Sequence, residues 1–104
     1  MKLSEVLMGE LLDDTTLTLA ELAKACHVEE QWVIERVEAG IIKGAKQLES
    51  WCFVSKDLAR ARRLVSIERS FDTDADLAAL VTDLIEEVSH LKQQLKIAEL
   101  QSRK

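Results

Sequence analysis

Apolar positions recur at intervals of three and four along much of the chain, which is the period of an amphipathic helix. A first helix is predicted over about residues 19–26, because Thr18 and Glu21 have the spacing of a capping box. A second helix is predicted over about residues 30–39, with Gly40 placed to end it. The connection between the two predicted helices is short, so together they are predicted to form a helix-turn-helix. The predicted inward positions are Leu19, Leu22 and Ala23 on the first helix and Val33, Ile34 and Val37 on the second.

The helical period fails between residues 41 and 55. Gly44 permits a turn there, and residues 51–54, WCFV, are aromatic or β-branched around a cysteine. This composition predicts a small hairpin, or wing. Residues 15–18, TTLT, are also rich in β-branched side chains and could form a short strand.

A third helix is predicted to be capped by Ser55, with Asp57 in its first turn, where a negative charge suits the helix dipole. Residues 72–74, DTD, then supply a break and a new cap. Residues 1–14 have helical spacing interrupted by Gly9, so a weak helix or an arm is expected there. The predicted apolar side of the third helix is Leu58, Ala61, Leu64 and Val65, with Phe71 as a further candidate.

The last helix, predicted over about residues 75–100, carries an uninterrupted heptad pattern. At a rise of 1.5 Å per residue it would be about 39 Å long, more than a head of about 70 residues can cover. A second copy of the chain is therefore the expected partner. In a parallel pair Glu87 would meet Lys92 of its mate, but the apolar seam permits an antiparallel pair equally. The seam, which is the predicted dimer interface, comprises Leu77, Val81, Leu84, Val88, Leu91 and Leu95, with Ala98 at its end.

These elements predict a mainly α fold in three parts. Residues 1–14 form the arm, residues 15–71 a winged helix-turn-helix head with a small β-wing, and residues 72–104 a long C-terminal coiled-coil dimerisation helix.

Composition narrows the possible partners. The 104 residues are 47% hydrophobic and 32% charged, as in a globular protein, and the net charge is −5 with a pI near 5.0. This charge works against non-specific attraction to nucleic acid or to an anionic membrane. The first twelve residues include Glu5 and Glu10 and lack a long apolar run, so no signal peptide or membrane span is expected and the cytoplasm is the expected location.

Candidate chemistry is sparse. Cys26 and Cys52 are expected to be reduced, half-buried thiols rather than a disulfide. Cys26 adjoins His27, but further zinc ligands at a typical spacing are missing. Glu87 and His90 form one E-x-x-H pair, whereas a carboxylate-bridged pair of metals needs that motif on other helices as well. With no nucleophile and base in a recognisable motif and no phosphate-binding loop, we expect no metal, no cofactor and no catalytic activity.

Two stretches carry a family resemblance: LTLAELAKACHVEEQWVIERVEAGII at residues 17–42 and ESWCFVSKDLARARRL at residues 49–64. Their order and spacing resemble the MerR-like winged-helix domain. That resemblance spans about residues 16–98. Within the superfamily the chain is similar to the small chaperone-modulatory proteins of the CbpM type, with which it shares an ELAxxxxVEEQWV-like helix pair and the H-L-K-Q of residues 90–93. The resemblance implies a cytoplasmic bacterial protein that binds the J-domain of a CbpA-like co-chaperone of the DnaJ class and inhibits it.

DNA-reading MerR proteins typically carry Arg-Tyr-Tyr before the glycine of the second helix, where this chain has Ile34, Glu35 and Arg36. They typically carry an arginine in the wing, where this chain has Cys52. Residues 29–38 contain four glutamates and one arginine, a local charge of −3 that DNA phosphates would repel. Binding to DNA is therefore not expected.

Two other interpretations stay open. One is a DNA-binding MerR-like regulator without an effector domain, supported by a possible basic ridge on the third helix. The spacing favours a solvated face with local ion pairs, because Arg62 points away from the side that Arg60 and Arg63 share; contact with nucleic acid or with an acidic patch on a partner is the alternative. The other is a plain dimerisation module of a larger assembly. The residues of the possible ridge are Lys56, Arg60, Arg62 and Arg63.

Candidate contacts with a J-domain are acidic or exposed apolar side chains, because a J-domain presents a basic helix. Trp32 lies off the predicted inward face and is either an anchor or packed against the wing or the first helix. Trp51 is expected in the core. The predicted partner contacts are Trp32, Glu35, Arg36, Asp76, Asp83 and Glu87.

Overall fold

The computed structural model describes residues 16–103, and in this part of the chain four helices pack around a small sheet. The mainly α winged helix-turn-helix is confirmed, whereas pairing of the last helix in a coiled coil stays a prediction. The arm predicted at residues 1–14 lies outside the described residues. The elements are β1 (Leu17–Thr18), α1 (Leu19–Cys26), α2 (Glu30–Glu38), β2 (Ala45–Gln47), β3 (Ser50–Phe53), α3 (Ser55–Phe71) and α4 (Ala75–Ser102).

The sheet ties the wing to the start of the helix-turn-helix. Its order is β1-β3-β2 with antiparallel neighbours, and β2 and β3 form the predicted hairpin. Leu17 of β1 pairs with Phe53 of β3, so the short strand predicted within residues 15–18 is also confirmed. The wing is therefore hydrogen-bonded, through β3, to the strand that directly precedes α1.

The helix-turn-helix is defined by local hydrogen bonds. The backbone N–H of Glu21 donates to Thr18 Oγ1 at 3.1 Å, and that of Thr18 donates to Glu21 Oε1 at 2.9 Å, which confirms the capping box. His27 ends α1 in the left-handed region at φ 57°, and Gly40 follows α2 at φ 77°. Glycine adopts that conformation without steric cost, so the predicted stop is confirmed, one residue after the Ala39 cap.

The core receives one fully buried side chain from most of the elements. Leu22 of α1, Val33 of α2, Phe53 of β3 and Leu64 of α3 are each 0% exposed. Burial of such a side chain contributes roughly 1.5–3 kcal/mol relative to leaving it in water. These contacts hold α2 and the wing in a constant arrangement.

Two details predicted for α3 are wrong. Ser55 does not cap this helix; Val54 is the cap residue, and the Asp57 carboxylate accepts a 2.9 Å hydrogen bond from the Val54 N–H. Val54 makes no side-chain cap hydrogen bond of its own, so Asp57 supplies the side-chain hydrogen bond at this end of the helix. Phe71 is 74% exposed, because the last buried residue of α3 is Ile67 and the final turn extends beyond the core.

Only the first three turns of α4 pack on the head. Ala78 and Thr82 are buried, and Val81 and Ile85 are half-buried against the core. Every residue from 86 to 103 is exposed. The 28 residues of α4 span about 42 Å, so roughly half of the helix extends past the rest of the described chain. No helix within residues 16–103 combines the length and apolar character needed to cross a bilayer.

Candidate functional site

The outward side of α2 is strongly acidic. Val33 and the half-buried Ile34 and Val37 direct the apolar side of the helix toward the head. Most of the other positions are exposed to solvent, where a charged side chain needs no buried partner. We call the four exposed glutamates the acidic face of α2: Glu29, Glu30, Glu35 and Glu38.

The one cation of α2 is bound inside the head. Arg36 Nη2 lies 2.8 Å from Glu68 Oε1 and Arg36 Nε lies 3.2 Å from Glu68 Oε2, a two-pronged contact with α3. The Arg36 side chain is 11% exposed and that of Glu68 15%. Arg36 Nη1 also lies 3.3 Å from Glu35 Oε1, so the charge of Arg36 is shared between Glu68 and one of the four glutamates.

Trp32 completes this cluster. Its indole N–H donates to Glu68 Oε1 at 3.2 Å, and the Arg36 guanidinium carbon lies 4.2 Å from the ring centroid, within cation–π range. The polar contact of Trp32 is therefore with α3, while its ring also packs against the hydrophobic core of the head. The ring is half-buried, so one part of it still meets solvent.

Glu68 is the residue that sequence analysis missed. It holds both Trp32 and Arg36, which were each identified separately. A signal was present, since Glu68 follows Ala61, Leu64 and Val65 at helical spacing and so continues their apolar stripe along α3. An ionisable residue in such a stripe is expected to have a buried partner of opposite charge.

The wing presents aromatic rings rather than an arginine. Trp51 stacks on Phe53 with centroids 6.4 Å apart, and Lys46 Nζ lies 5.9 Å from the Trp51 centroid. Phe53 is fully buried while Trp51 is half-buried, so the expected core position of Trp51 is only partly attained. Cys52 points to Gln47, with Sγ 3.6 Å from Oε1.

The acidic candidates on α4 occupy a different surface. Asp76, Asp83 and Glu87 are all exposed. Asp83 Oδ1 lies 2.9 Å from Arg60 Nη1. Trp32 and Arg36 instead contact Glu68, where α2 meets the end of α3, and Glu35 contacts Arg36. The six predicted contacts therefore form two groups.

The possible basic ridge on α3 is interrupted. Arg60 Nη1 also lies 2.9 Å from Glu86 Oε1, and Arg60 Nε donates to the Ile41 carbonyl at 2.6 Å. Local ion pairing is thus confirmed for Arg60. A cavity of about 910 Å³ lies beside it, between the wing, α3 and α4. Its charged lining is mixed: Lys43, Lys56, Arg60 and Arg63 with Asp57, Asp83 and Glu86.

Neither cysteine suggests chemistry. Cys26 is buried, and burial raises the pKa of its thiol above the ordinary value even though the charge of Arg62 acts in the opposite direction. A raised pKa keeps the thiol protonated and unreactive. Within residues 16–103, His, Cys, Asp and Glu side chains do not gather in any group of three that could hold a metal ion.

Comparison with known proteins agrees with this geometry. Residues 17–100 match the family model of the MerR HTH family regulatory proteins. A chaperone modulatory protein CbpM from Coxiella burnetii is 28% identical over 97 residues, covering 91% of this chain and 92% of the relative. Another protein of that name, from Pseudomonas entomophila, is 29% identical over 79 residues, covering 75% of this chain and 78% of the relative. The chain therefore belongs to the MerR HTH family of regulatory proteins and, within it, is similar to the chaperone modulatory proteins CbpM.

Proposed function

We propose that this chain modulates a chaperone system as a protein-binding inhibitor of a DnaJ-class, CbpA-like co-chaperone, whose J-domain it binds. The names of its relatives support the chaperone part of this proposal. The inhibition is steric: occupation of the J-domain prevents that domain from stimulating its Hsp70 partner.

The observation that carries the proposal is the acidic face of α2 with Arg36 withdrawn into its contact with Glu68. In a DNA-reading helix-turn-helix, the second helix lies in the major groove between phosphates. Four exposed anions and one paired cation oppose that position, since affinity for DNA comes largely from cations that displace counterions. The same surface complements the basic helix of a J-domain and would speed encounter with it.

Each group of predicted contacts has a distinct place in this proposal. Glu35 contributes charge directly, because its side chain is 59% exposed. Trp32 contributes the open part of its ring, while Arg36 positions that ring and neighbouring Glu35. Asp76, Asp83 and Glu87 form a second acidic surface on α4 for the same basic partner.

The proposed assembly is a homodimer joined through the seam of α4. Leu77, Leu84 and Val88 are 50%, 57% and 50% exposed, and Leu91 and Leu95 are 51% and 61% exposed. A second copy would bury this row of leucine and valine side chains at heptad spacing. Two acidic faces would then be available in each dimer.

Binding to purified partners tests the function. We expect a complex with the DnaJ-class co-chaperone of the same organism, measured by calorimetry, and weak or undetectable binding to duplex DNA at low salt. The substitution Glu35→Lys should weaken the complex, whereas Glu99→Lys on the far end of α4 should not. Micromolar or tighter binding to DNA with a steep salt dependence, without a J-domain complex, would instead establish the DNA-binding alternative.

A further inference from the structure

A small apolar cleft opens between α2 and the wing. Its apolar walls come from three parts of the head that the sheet and core hold together, and Glu38 and Lys46 stand at its rim. The cavity measures about 210 Å³. We call it the α2–wing cleft, and its apolar lining is Leu19, Ile34, Val37, Trp51 and Phe53.

The size of the cleft limits what can occupy it. Sites for drug-sized molecules and cofactors measure roughly 300–1,000 Å³. A cavity of 210 Å³ accommodates a single large aliphatic side chain. Phe53 is fully buried, whereas Ile34, Val37 and Trp51 are half-buried, so these three side chains keep apolar surface in contact with water until something covers it.

The glutamates near the α2–wing cleft favour a partner that carries cations beside the apolar side chain that enters the cleft. Glu30, Ile34 and Glu38 are four residues apart, so they follow one another along a single face of α2. Both glutamates are exposed and lie one turn to either side of Ile34, about 6 Å away along the helix axis. Glu38 lines the cleft and Glu30 lies beyond it, so a partner that presents an apolar residue with a cation about 6 Å to either side would complement the cleft and both glutamates.

A helix satisfies that spacing. A partner helix aligned with α2 places residues four apart about 6 Å from one another, which matches Glu30, Ile34 and Glu38 in turn. Residues two apart on an extended strand also share a face and lie about 7 Å from one another, so the spacing by itself admits a strand too. The helix is chosen because the partner under the proposed function, a J-domain, presents its cations on a helix. Lys46 lies on the wing side of the cleft, with Nζ 5.9 Å from the centroid of the Trp51 ring. Its charge repels the cations of the partner helix, so the partner is expected to approach from the α2 side.

We propose that the α2–wing cleft receives one aliphatic side chain of a basic amphipathic helix, whose lysines or arginines one turn before and after that side chain pair with Glu30 and Glu38. This assignment rests on the proposed function and identifies the part of the surface that supplies most of the affinity. A central apolar anchor surrounded by a charged rim is the usual distribution of energy in a protein interface.

Matched substitutions test the cleft. Ile34→Ala is expected to weaken binding of the DnaJ-class co-chaperone at least tenfold, since it removes three carbons of apolar contact. Val37→Ala should weaken it about fivefold. Val28→Ala removes the same two methyl groups from a half-buried valine that does not line the cleft, and it should leave affinity unchanged. Circular dichroism of each variant verifies that the head remains folded.

The outcomes separate this inference from the proposed function. If the co-chaperone binds the native chain and all three variants equally, the cleft is not the contact and only the proposed function stands. A second experiment uses a synthetic helical peptide that has one leucine, with a lysine four residues before it and another four residues after it. Binding of this peptide that Ile34→Ala abolishes supports the cleft even where the co-chaperone does not bind; failure of both probes overturns the inference.

Discussion

Leucine side chains have opposite environments in the two regions of this molecule. In the head, Leu22 and Leu64 are 0% exposed, whereas on α4 Leu84 and Leu95 are 57% and 61% exposed. Both regions have regular apolar spacing, so spacing alone does not distinguish them. The head closes its core with side chains from helices on several sides, while the distal half of α4 has only its own helix. An amphipathic pattern therefore specifies a face but not what covers it.

The largest effect is expected from a substitution among the exposed leucines of α4, and it concerns the mass of the assembly. If a second copy covers the seam, Leu84→Asp places two carboxylates in an apolar contact, each of which costs several kcal/mol to desolvate. Sedimentation velocity should then show half the mass of the native protein, with the head still folded. Gln93→Asp adds the same carboxylate on the other side of α4 and should leave the mass unchanged. An undiminished mass for Leu84→Asp would show that this seam does not join the copies.

A smaller effect is expected from truncating a leucine in each region. Leu64→Ala should lower the free energy of unfolding by about 2–5 kcal/mol, because it leaves a cavity in a packed core. Leu100→Ala, at a 56% exposed position of α4 outside the seam, should cost less than about 0.5 kcal/mol. Urea unfolding measures both. Similar losses would mean that the end of α4 is packed as tightly as the head.

A smaller effect on stability than that of Leu64→Ala is expected where the two regions meet. Thr82 of α4 is 0% exposed, and its hydroxyl has no hydrogen-bond partner within the described part of the chain. Thr82→Val should raise the free energy of unfolding by about 1 kcal/mol, because it removes an unpaired polar group without changing the shape. Thr18→Val should have the opposite sign and cost about 1 kcal/mol, because the Thr18 hydroxyl caps α1. Destabilisation by Thr82→Val would reveal a hydrogen bond to that hydroxyl.

Local patterns predicted most of the fold. Capping at Thr18, the glycine after α2 and the aspartate that caps α4 at Asp74 each act within four residues, so they can be identified from neighbouring positions. The prediction failed at Ser55 because α3 already begins at Ser55, after Val54, and the side-chain hydrogen bond at this end of the helix comes from Asp57. It failed at Phe71 because spacing does not show where the covering elements end.

The candidate site was only partly predictable. Trp32, Glu35 and Arg36 were identified by their position on α2, and the acidic character of that helix follows directly from its residues. Their arrangement around Glu68, which is 32 residues from Arg36, depends on how α3 packs against α2. Likewise the α2–wing cleft combines Leu19, Ile34 and Trp51, which are distant in the sequence.

The residues alone specify where helices begin and end, which face of each is apolar and that the second helix is acidic, because these properties depend on side chains within one or two turns. Packing in three dimensions specifies the rest. It withdraws Arg36 from solvent, pairs Arg60 with α4 and opens a cleft beside Ile34. Those features require contacts between side chains up to 36 residues apart, and such contacts form only when the whole head closes around its core.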